Sequence, residues 1–270
     1  MLGEILPWHL PVIEKLQQRA GDDTLPAAIA LICGEGWGGH ELIQRAAFAL
    51  LGLSSEQSPH EIAHPDFCWI APDGAVIKID QVRKLNAFAV QTPQISKCKV
   101  AAIVDAHLLN TNAANTLLKT LEEPPANTHI LISTPHWGRL LPTIRSRCQR
   151  YQVEQSADDA TTWLSDNGTD VSKQAFAQSG YAPLHVQDES RFDLGAWLIE
   201  LENNREPNTC IASILETDLV DVLARWYRDL IWQQRASANR TLLAFADEIN
   251  QTRLQLETSN AANPRLLIER

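Results

Sequence analysis

The chain has 270 residues, of which 44% are hydrophobic and 21% are charged, and its formal net charge is −10 at pH 7. This length allows one large α/β unit with one or two small helical domains, and so acidic a chain should not bind DNA strongly by itself. Without a membrane-length apolar run, a secretory signal or a CxxC pair among its five cysteines, we expect a reduced, cytoplasmic protein with no membrane partner.

The first part of the chain alternates strand-like and helix-like segments. An amphipathic helix is predicted from Leu10 to near Gly21, and a small apolar strand over residues 27–33. A glycine-rich loop at 34–39 follows, and then a helix over 42–51. Residues 64–70 predict a turn feeding a strand, and a helix starts near Ile79 with Asp80 as the expected cap.

Two further strands enclose a helix in the middle of the chain. The apolar run 100–104 predicts a buried parallel strand that ends at Asp105. Asn110 or Thr111 can cap the helix that follows, and Pro124 ends it, because proline cannot continue the helical hydrogen bonds. Residues 129–134 predict another strand, and 139–145 a short helical turn.

After Val153 the pattern is helical throughout. Short helices are predicted at 157–164 and 172–177, with an interruption at 180–185 and a further helix at 191–201. A polar connection at 203–208 precedes an apolar stripe at helical spacing over 219–231. Another helix covers 242–254, and the last segment is 263–269.

The glycine-rich loop has the shape of a phosphate-binding loop but not its charges. It keeps the spacing of G-x-x-x-x-G-K-[ST] from Gly34 to Gly39, with His40 at the lysine position and Glu41 at the Ser/Thr position. Glu35 adds a carboxylate beside the backbone N–H groups, at a cost of about 4 kcal/mol against a phosphate oxygen ~4 Å away. We expect the loop to turn the chain and start a helix without binding ATP.

Two motifs carry a resemblance to a known family. The segment NTLLKTLEEPP at 115–125, followed by LPTIRSRCQR at 141–150, resembles the clamp-loader branch of the AAA+ ATPases. The resemblance is close to the bacterial DNA polymerase III subunits, either delta prime or the ATP-hydrolysing gamma and tau. It implies a parallel-sheet AAA+ domain of the P-loop type, a small helical lid and an all-α C-terminal collar, which we place at 1–153, 154–196 and 197–270, with the collar incomplete.

Several positions depart from the hydrolysing members of that family. Aligned through NTLLKTLEEPP, the two acids of the family's magnesium motif correspond to Val104 and Asp105, so the metal-side acid is missing. Thr134 matches the sensor-1 position, and Pro183 stands where hydrolysing relatives carry the sensor-2 arginine. The four cysteines of a structural zinc site in delta prime relatives are also absent. The resemblance therefore implies no bound ATP, no zinc and no other metal.

Arg147 is the predicted functional residue. In the resembling family, the arginine of the Ser-Arg-Cys motif reaches the neighbouring subunit's ATP site as a trans arginine finger, which suits a permanently charged, planar side chain. Ser146 is expected to position this loop and Cys148 to pack as a small apolar group. The alternative is that Arg147 makes only an intramolecular salt bridge.

The resemblance implies a delta prime-like subunit with no ATPase activity of its own. Its expected partners are the gamma/tau ATPase and delta subunits, and, through the complex, the sliding clamp and primed DNA. Two alternatives remain open at this point: an ATP-binding gamma/tau-like ATPase, and an AAA+-derived interaction module outside replication.

Overall fold

The computed structural model describes residues 6–53, 58–59, 62–186, 192–203, 207–236, 239–258 and 263–268. The predicted polar connection at 203–208, the start of the 191–201 helix and the end of the 263–269 segment lie partly outside these residues. The chain divides into two compact units, 1–160 and 161–270.

The first unit alternates strands and helices, as the sequence predicts. Its elements are α1 (Leu10–Gly21), β1 (Ala28–Ile32), α2 (Gly39–Leu51), β2 (Phe67–Ile70), α3 (Ile79–Ala89), β3 (Lys99–Ile103), α4 (Thr111–Glu122), β4 (Thr128–Thr134), α5 (Pro142–Arg145) and β5 (Gln149–Gln152). Short 3-10 turns lie at Pro7–His9, Ala106–Leu108 and Trp137–Arg139.

The five strands form one parallel sheet in the order β2-β3-β4-β1-β5. Strands β1 and β3 are buried at every position, which explains why, apart from Lys99 at the start of β3, they are short continuous apolar runs rather than alternating ones. Helices α3 and α4 pack on one face through Val82, Leu85, Leu117 and Leu121, which lie in one buried cluster with β1, β3 and β4 residues. The predicted α/β fold with a parallel sheet is confirmed.

Local predictions in this unit are mostly right, with three corrections. Asn110 caps α4, since its side-chain Oδ1 accepts from the backbone N–H of Ala113 at 2.8 Å. Asp80 does not cap α3, because the helix starts after Lys78, whose backbone N–H donates to Gln81 Oε1 at 2.8 Å. The predicted turn at 139–145 is split between the 3-10 turn and α5. The edge strand β5 was not predicted.

A buried carboxylate holds the loop between α3 and β3. Asp66 is fully buried and accepts from the backbone N–H groups of Gln94, Ile95 and Ser96 at 2.7, 2.7 and 2.8 Å. Burial alone would raise the pKa of this carboxyl group, but the three backbone hydrogen bonds hold the pKa below its usual value. The loop is therefore fixed by one side chain from the turn before β2.

The second unit is helical. After α6 (Ala157–Asp166), which crosses the boundary, it contains α7 (Lys173–Gln178), α8 (Pro183–Val186), α9 (Leu194–Asn203), α10 (Pro207–Leu215), α11 (Leu219–Ala236), α12 (Arg240–Thr258) and α13 (Pro264–Ile268). The predicted polar connection at 203–208 is corrected at its end, because Pro207 begins α10, where proline's missing N–H costs nothing.

Two apolar clusters hold the second unit together. Trp197, Cys210, Ile214 and Val222 lie in one cluster, with the Trp197 Nε1 donating to the backbone carbonyl of Cys210 at 2.8 Å. Leu223, Leu230, Ala246 and Ile249 join α11 to α12 in the other. The apolar stripe predicted from 219 onward thus packs inside this unit. The boundary predicted between lid and collar stays a prediction.

No helix in the described part of the chain is both long and apolar enough to cross a membrane. The five cysteines are all free thiols.

Candidate functional site

The predicted site residues gather at one edge of the sheet. Strand β1 leads into the glycine-rich loop, β3 leads into Val104 and Asp105, and β4 ends at Thr134. Because neighbouring parallel strands end at the same edge, and Ile32 lies in register with Thr134, these positions converge. The loop, the acid and the sensor-1 position therefore lie together at this edge of the sheet, as their motif assignments require.

The glycine-rich loop is fixed by side chains from the N-terminal segment. The backbone carbonyl of Trp37 accepts from Trp8 Nε1 at 2.9 Å, from His9 Nε2 at 2.8 Å and from the Cys33 thiol at 3.2 Å. The rings of Trp8 and Trp37 meet edge to face with centroids 5.1 Å apart. The loop's conformation is thus set by the chain itself.

Burial determines the protonation states of His9 and Cys33, the two titratable side chains of this cluster. It lowers the pKa of His9 to about 4, so the ring is neutral near pH 7, and it raises the pKa of the Cys33 thiol to about 12. Trp8, His9 and Trp37 are all buried. Sequence reasoning missed this contact because 28 residues separate His9 from Trp37, and no local periodicity reports it.

Gly38 allows the tight approach of the N-terminal segment. Its φ is +81°, and a Cβ there would lie 2.5 Å from Leu6 Cδ1 and 2.9 Å from His9 Cε1. A side chain would therefore be strained both by the backbone conformation and by its neighbours. Gly38, which lies between the two motif glycines Gly34 and Gly39, thus makes room for the side chains of Leu6 and His9.

The lysine and acid positions of the motif are joined to each other. His40 Nε2 lies 2.7 Å from Asp105 Oδ2. The hydrogen bond that His40 donates to Asp105 raises the pKa of His40, with further help from the nearby charges of Asp105 and Glu41 and against the effect of burial. The pair spans from the start of α2 to the end of β3, so the side chain at the motif's lysine position is already paired with a carboxylate.

A second histidine–carboxylate pair lies at the same edge. His136 Nε2 is 2.9 Å from Glu35 Oε1, and the rings of His136 and His107 meet edge to face at 4.9 Å. Thr134, at the sensor-1 position, contacts His107 Nδ1 through its hydroxyl at 3.1 Å and accepts from the His136 backbone N–H at 3.0 Å. Burial, together with the nearby side chains of His136 and Arg139, lowers the pKa of His107.

Carboxylates surround the glycine-rich loop at this edge. Glu35, Glu41 and Asp105 supply three carboxylates around the loop, and Val104 is fully buried where the family has its metal-side acid. Among the described residues, no group of three or more His, Cys, Asp or Glu side chains is placed to hold a metal ion. The histidines and Thr134 were individually visible in the sequence, but their pairings were not.

The arginine of the Ser-Arg-Cys motif lies just after α5 and is exposed on the first unit. Arg147 Nη1 donates to the Thr143 carbonyl at 2.8 Å, and Nη2 lies 2.6 Å from Glu122 Oε1. The intramolecular salt bridge considered from the sequence therefore exists in the isolated chain. It leaves 32% of the Arg147 side chain exposed, so the contact and a role toward a neighbouring subunit are compatible.

The two residues beside Arg147 support the turn. The Ser146 hydroxyl donates to the Thr143 carbonyl at 3.1 Å and lies 3.4 Å from Arg147 Nη1. Cys148 packs against the main core, and burial raises the pKa of its thiol to about 12, so it behaves as a small apolar group. The contacts of Ser146 and Cys148 thus support the exposed turn that carries the Arg147 guanidinium.

Comparison with known proteins gives one family. The family model described as "DNA polymerase III, delta subunit" matches residues 8–157. DNA polymerase III subunit delta' of Pseudomonas aeruginosa is 35% identical over 203 residues, which cover 69% of this chain and 61% of that protein. Subunit delta' of Haemophilus influenzae is 31% identical over 172 residues, covering 59% of this chain and 53% of that protein. The matched region therefore spans less than two thirds of either relative.

A solved structure supports the fold over nearly the whole chain. A DNA polymerase III gamma subunit-related protein from Thermotoga maritima superposes with a TM-score of 0.61 at 18% identity, covering 95% of this chain and 96% of that one. At this identity the likeness establishes the shared fold alone.

Proposed function

This chain belongs to the DNA polymerase III delta prime family of clamp-loader subunits, and from that membership we propose that it is a non-hydrolysing subunit of a clamp loader. It assembles in the cytoplasm with gamma/tau ATPase and delta subunits and, through them, acts on the sliding clamp and primed DNA. Its own loop binds no nucleotide, and no zinc is required. Its contribution to ATP hydrolysis is Arg147, supplied to the neighbouring subunit's site.

One observation carries the proposal: the histidine at the motif's lysine position pairs with the chain's own acid, while the arginine turn is exposed. His40 lies 2.7 Å from Asp105, and Val104 stands at the metal-side position of the acid motif. Arg147 lies on the surface of the same unit. This combination suits a subunit that completes another protein's active site and has lost its own.

The chemistry at the neighbouring site requires arginine. During phosphoryl transfer, negative charge spreads over the phosphate oxygens, and a guanidinium can donate to two of them at once. Arginine fingers of this kind are worth about 10³ to 10⁵ in rate. Lysine retains the charge but not the planar pair of donors, so it is a poor replacement.

The test is ATP hydrolysis by the reconstituted complex with gamma/tau and delta. Arg147→Ala is expected to leave assembly intact and to lower DNA-stimulated hydrolysis strongly. Because the complex has other ATP sites, single-turnover rates in complexes with one competent neighbouring site give the cleanest value. Arg150→Ala removes the same charge from an exposed position three residues along and is expected to keep the parental rate.

The outcomes separate the alternatives. An unchanged rate for Arg147→Ala removes the finger from the account. Failure of the parental chain to co-assemble with gamma/tau and delta favours an interaction module outside replication. ATP binding by the isolated chain favours a gamma/tau-like ATPase.

A further inference from the structure

Arg147 is held on its own chain by a specific carboxylate. Glu122 is the last residue of α4, where Pro124 and Pro125 prevent the helix from continuing. Its Oε1 lies 2.6 Å from Arg147 Nη2, while Nη1 donates to the Thr143 carbonyl at 2.8 Å. The guanidinium is therefore held through both terminal nitrogens, by the end of α4 and by the turn that carries it.

These contacts leave donors for a second partner. A guanidinium has five N–H donors, and the contacts to Glu122, Thr143 and Ser146 involve only the two terminal nitrogens, each of which carries two hydrogens. The side chains of Arg147 and Glu122 remain 32% and 48% exposed. Arg147 can thus remain bonded to its own chain while another face of the guanidinium meets phosphate.

We propose that Glu122 is a positioning residue for Arg147: it holds the guanidinium in place before the neighbouring ATP site forms. A free arginine side chain loses much conformational entropy when it is ordered, and a salt bridge made in the isolated subunit removes that loss from the hydrolytic step. This inference rests on the proposed finger role of Arg147.

The neighbouring residue provides a matched comparison. Glu123 follows Glu122 directly and is exposed, and within the described part of the chain it forms no ion pair. Removing either carboxylate changes the net charge equally and alters the same end of α4. Only Glu122 contacts the arginine, so a difference between the two variants reports the contact and not the charge.

The expected effect is on the rate of the chemical step. Glu122→Ala should lower kcat for ATP hydrolysis by the reconstituted complex about tenfold, equivalent to ~1.4 kcal/mol, with KM for ATP changed less than about twofold, because the interaction acts in the transition state. Glu122→Gln, which keeps a hydrogen-bond acceptor, should fall between. Exposed ion pairs contribute little to folding, so the thermal stability of the subunit and its assembly should be retained.

A double-mutant cycle decides between positioning and a general structural role. If Glu122 acts through Arg147, the Glu122→Ala/Arg147→Ala variant hydrolyses ATP at the rate of Arg147→Ala alone, and Glu123→Ala keeps the parental rate. A further loss in the double variant means that Glu122 acts elsewhere and overturns the inference.

The remaining outcomes are also decisive. If Arg147→Ala slows hydrolysis but Glu122→Ala and Glu122→Gln do not, the finger stands and its positioning by Glu122 is wrong. A faster rate for Glu122→Ala means that the carboxylate restrains the finger, which contradicts the inference as well. If Arg147→Ala itself has no effect, the finger role fails, and the role of Glu122 fails with it.

Discussion

Removing the His40 side chain should destabilise the first unit in a pH-dependent way. In the folded chain His40 bonds Asp105 at 2.7 Å, and its pKa is raised above the ordinary value of 6.5. The 59% exposure of the His40 side chain brings solvent screening, so we expect His40→Ala to cost about 1 kcal/mol rather than the larger amount of a buried pair. That corresponds to a fall in Tm of roughly 3 °C for a unit of this size.

The direction of the pH dependence follows from the raised pKa. A group whose pKa is raised by folding stabilises the fold fully below its unfolded pKa, and this contribution disappears as the pH rises through the folded value. Thermal unfolding of parent and His40→Ala at pH 5.5 and pH 9 should therefore show the larger difference at pH 5.5. In an Asp105→Asn background, where position 105 is uncharged and the main cause of the raised pKa of His40 is removed, the pH dependence of that difference should shrink.

Two results would refute this reasoning. One is a stability difference between parent and His40→Ala that is the same at both pH values. The other is a pH-dependent difference that persists unchanged in the Asp105→Asn background. Either result means that the His40–Asp105 pair does not occupy the site in solution.

The remaining predictions concern the supports of the site and of the fold. Asp66→Asn should lower the free energy of unfolding by about 3 kcal/mol, because a charged acceptor of three backbone hydrogen bonds is lost. In urea unfolding, the difference between parent and variant should shrink as the pH falls through the lowered pKa of Asp66. A difference that stays constant down to about pH 2 contradicts this prediction. Gly38→Ala should cost about 2 kcal/mol or more from the positive φ and the contacts with Leu6 and His9, whereas Gly21→Ala, whose added Cβ meets nothing within 4 Å, should be close to neutral in the same assay. If Gly38→Ala and Gly21→Ala change the free energy of unfolding equally, the N-terminal segment does not pack closely against the loop at Gly38.

The strands and long helices of the first unit could be predicted because the local spacing of apolar residues indicates which positions are buried. β1 is a continuous apolar run and so is β3 after Lys99, and α4 carries its apolar residues at helical spacing after an asparagine cap. β5 could not be predicted in this way, since its sequence Gln-Arg-Tyr-Gln buries only Tyr151. That strand forms because β1 offers an open edge, which is a tertiary cause.

Cap prediction failed at α3 for a related reason. Aspartate is a preferred cap, and Asp80 lies at the right place in the sequence. In the fold, Gln81 turns its side chain back to the Lys78 backbone N–H and also donates to the Ala71 carbonyl at 2.8 Å. The contact of Gln81 with the segment after β2 decides where the helix starts. A cap preference read from the helix sequence alone contains no information about this contact.

At the site, residue types could be predicted from the sequence but partners could not. The replacement of the motif lysine by His40 and of an acid by Val104 was visible directly. That His40 bonds Asp105, 65 residues away, depends on the sheet bringing the ends of β1 and β3 together. The same holds for Glu122 and Arg147, which the packing of α4 and α5 in one core brings into contact.

Whether this chain's own loop holds a nucleotide can be measured by equilibrium titration of ATP with magnesium into the isolated chain. We expect no saturable binding at millimolar ATP, because carboxylates and the His40–Asp105 pair occupy the position of the phosphates. Saturable binding in the micromolar range, lost in a Gly39 or His40 variant, would contradict it.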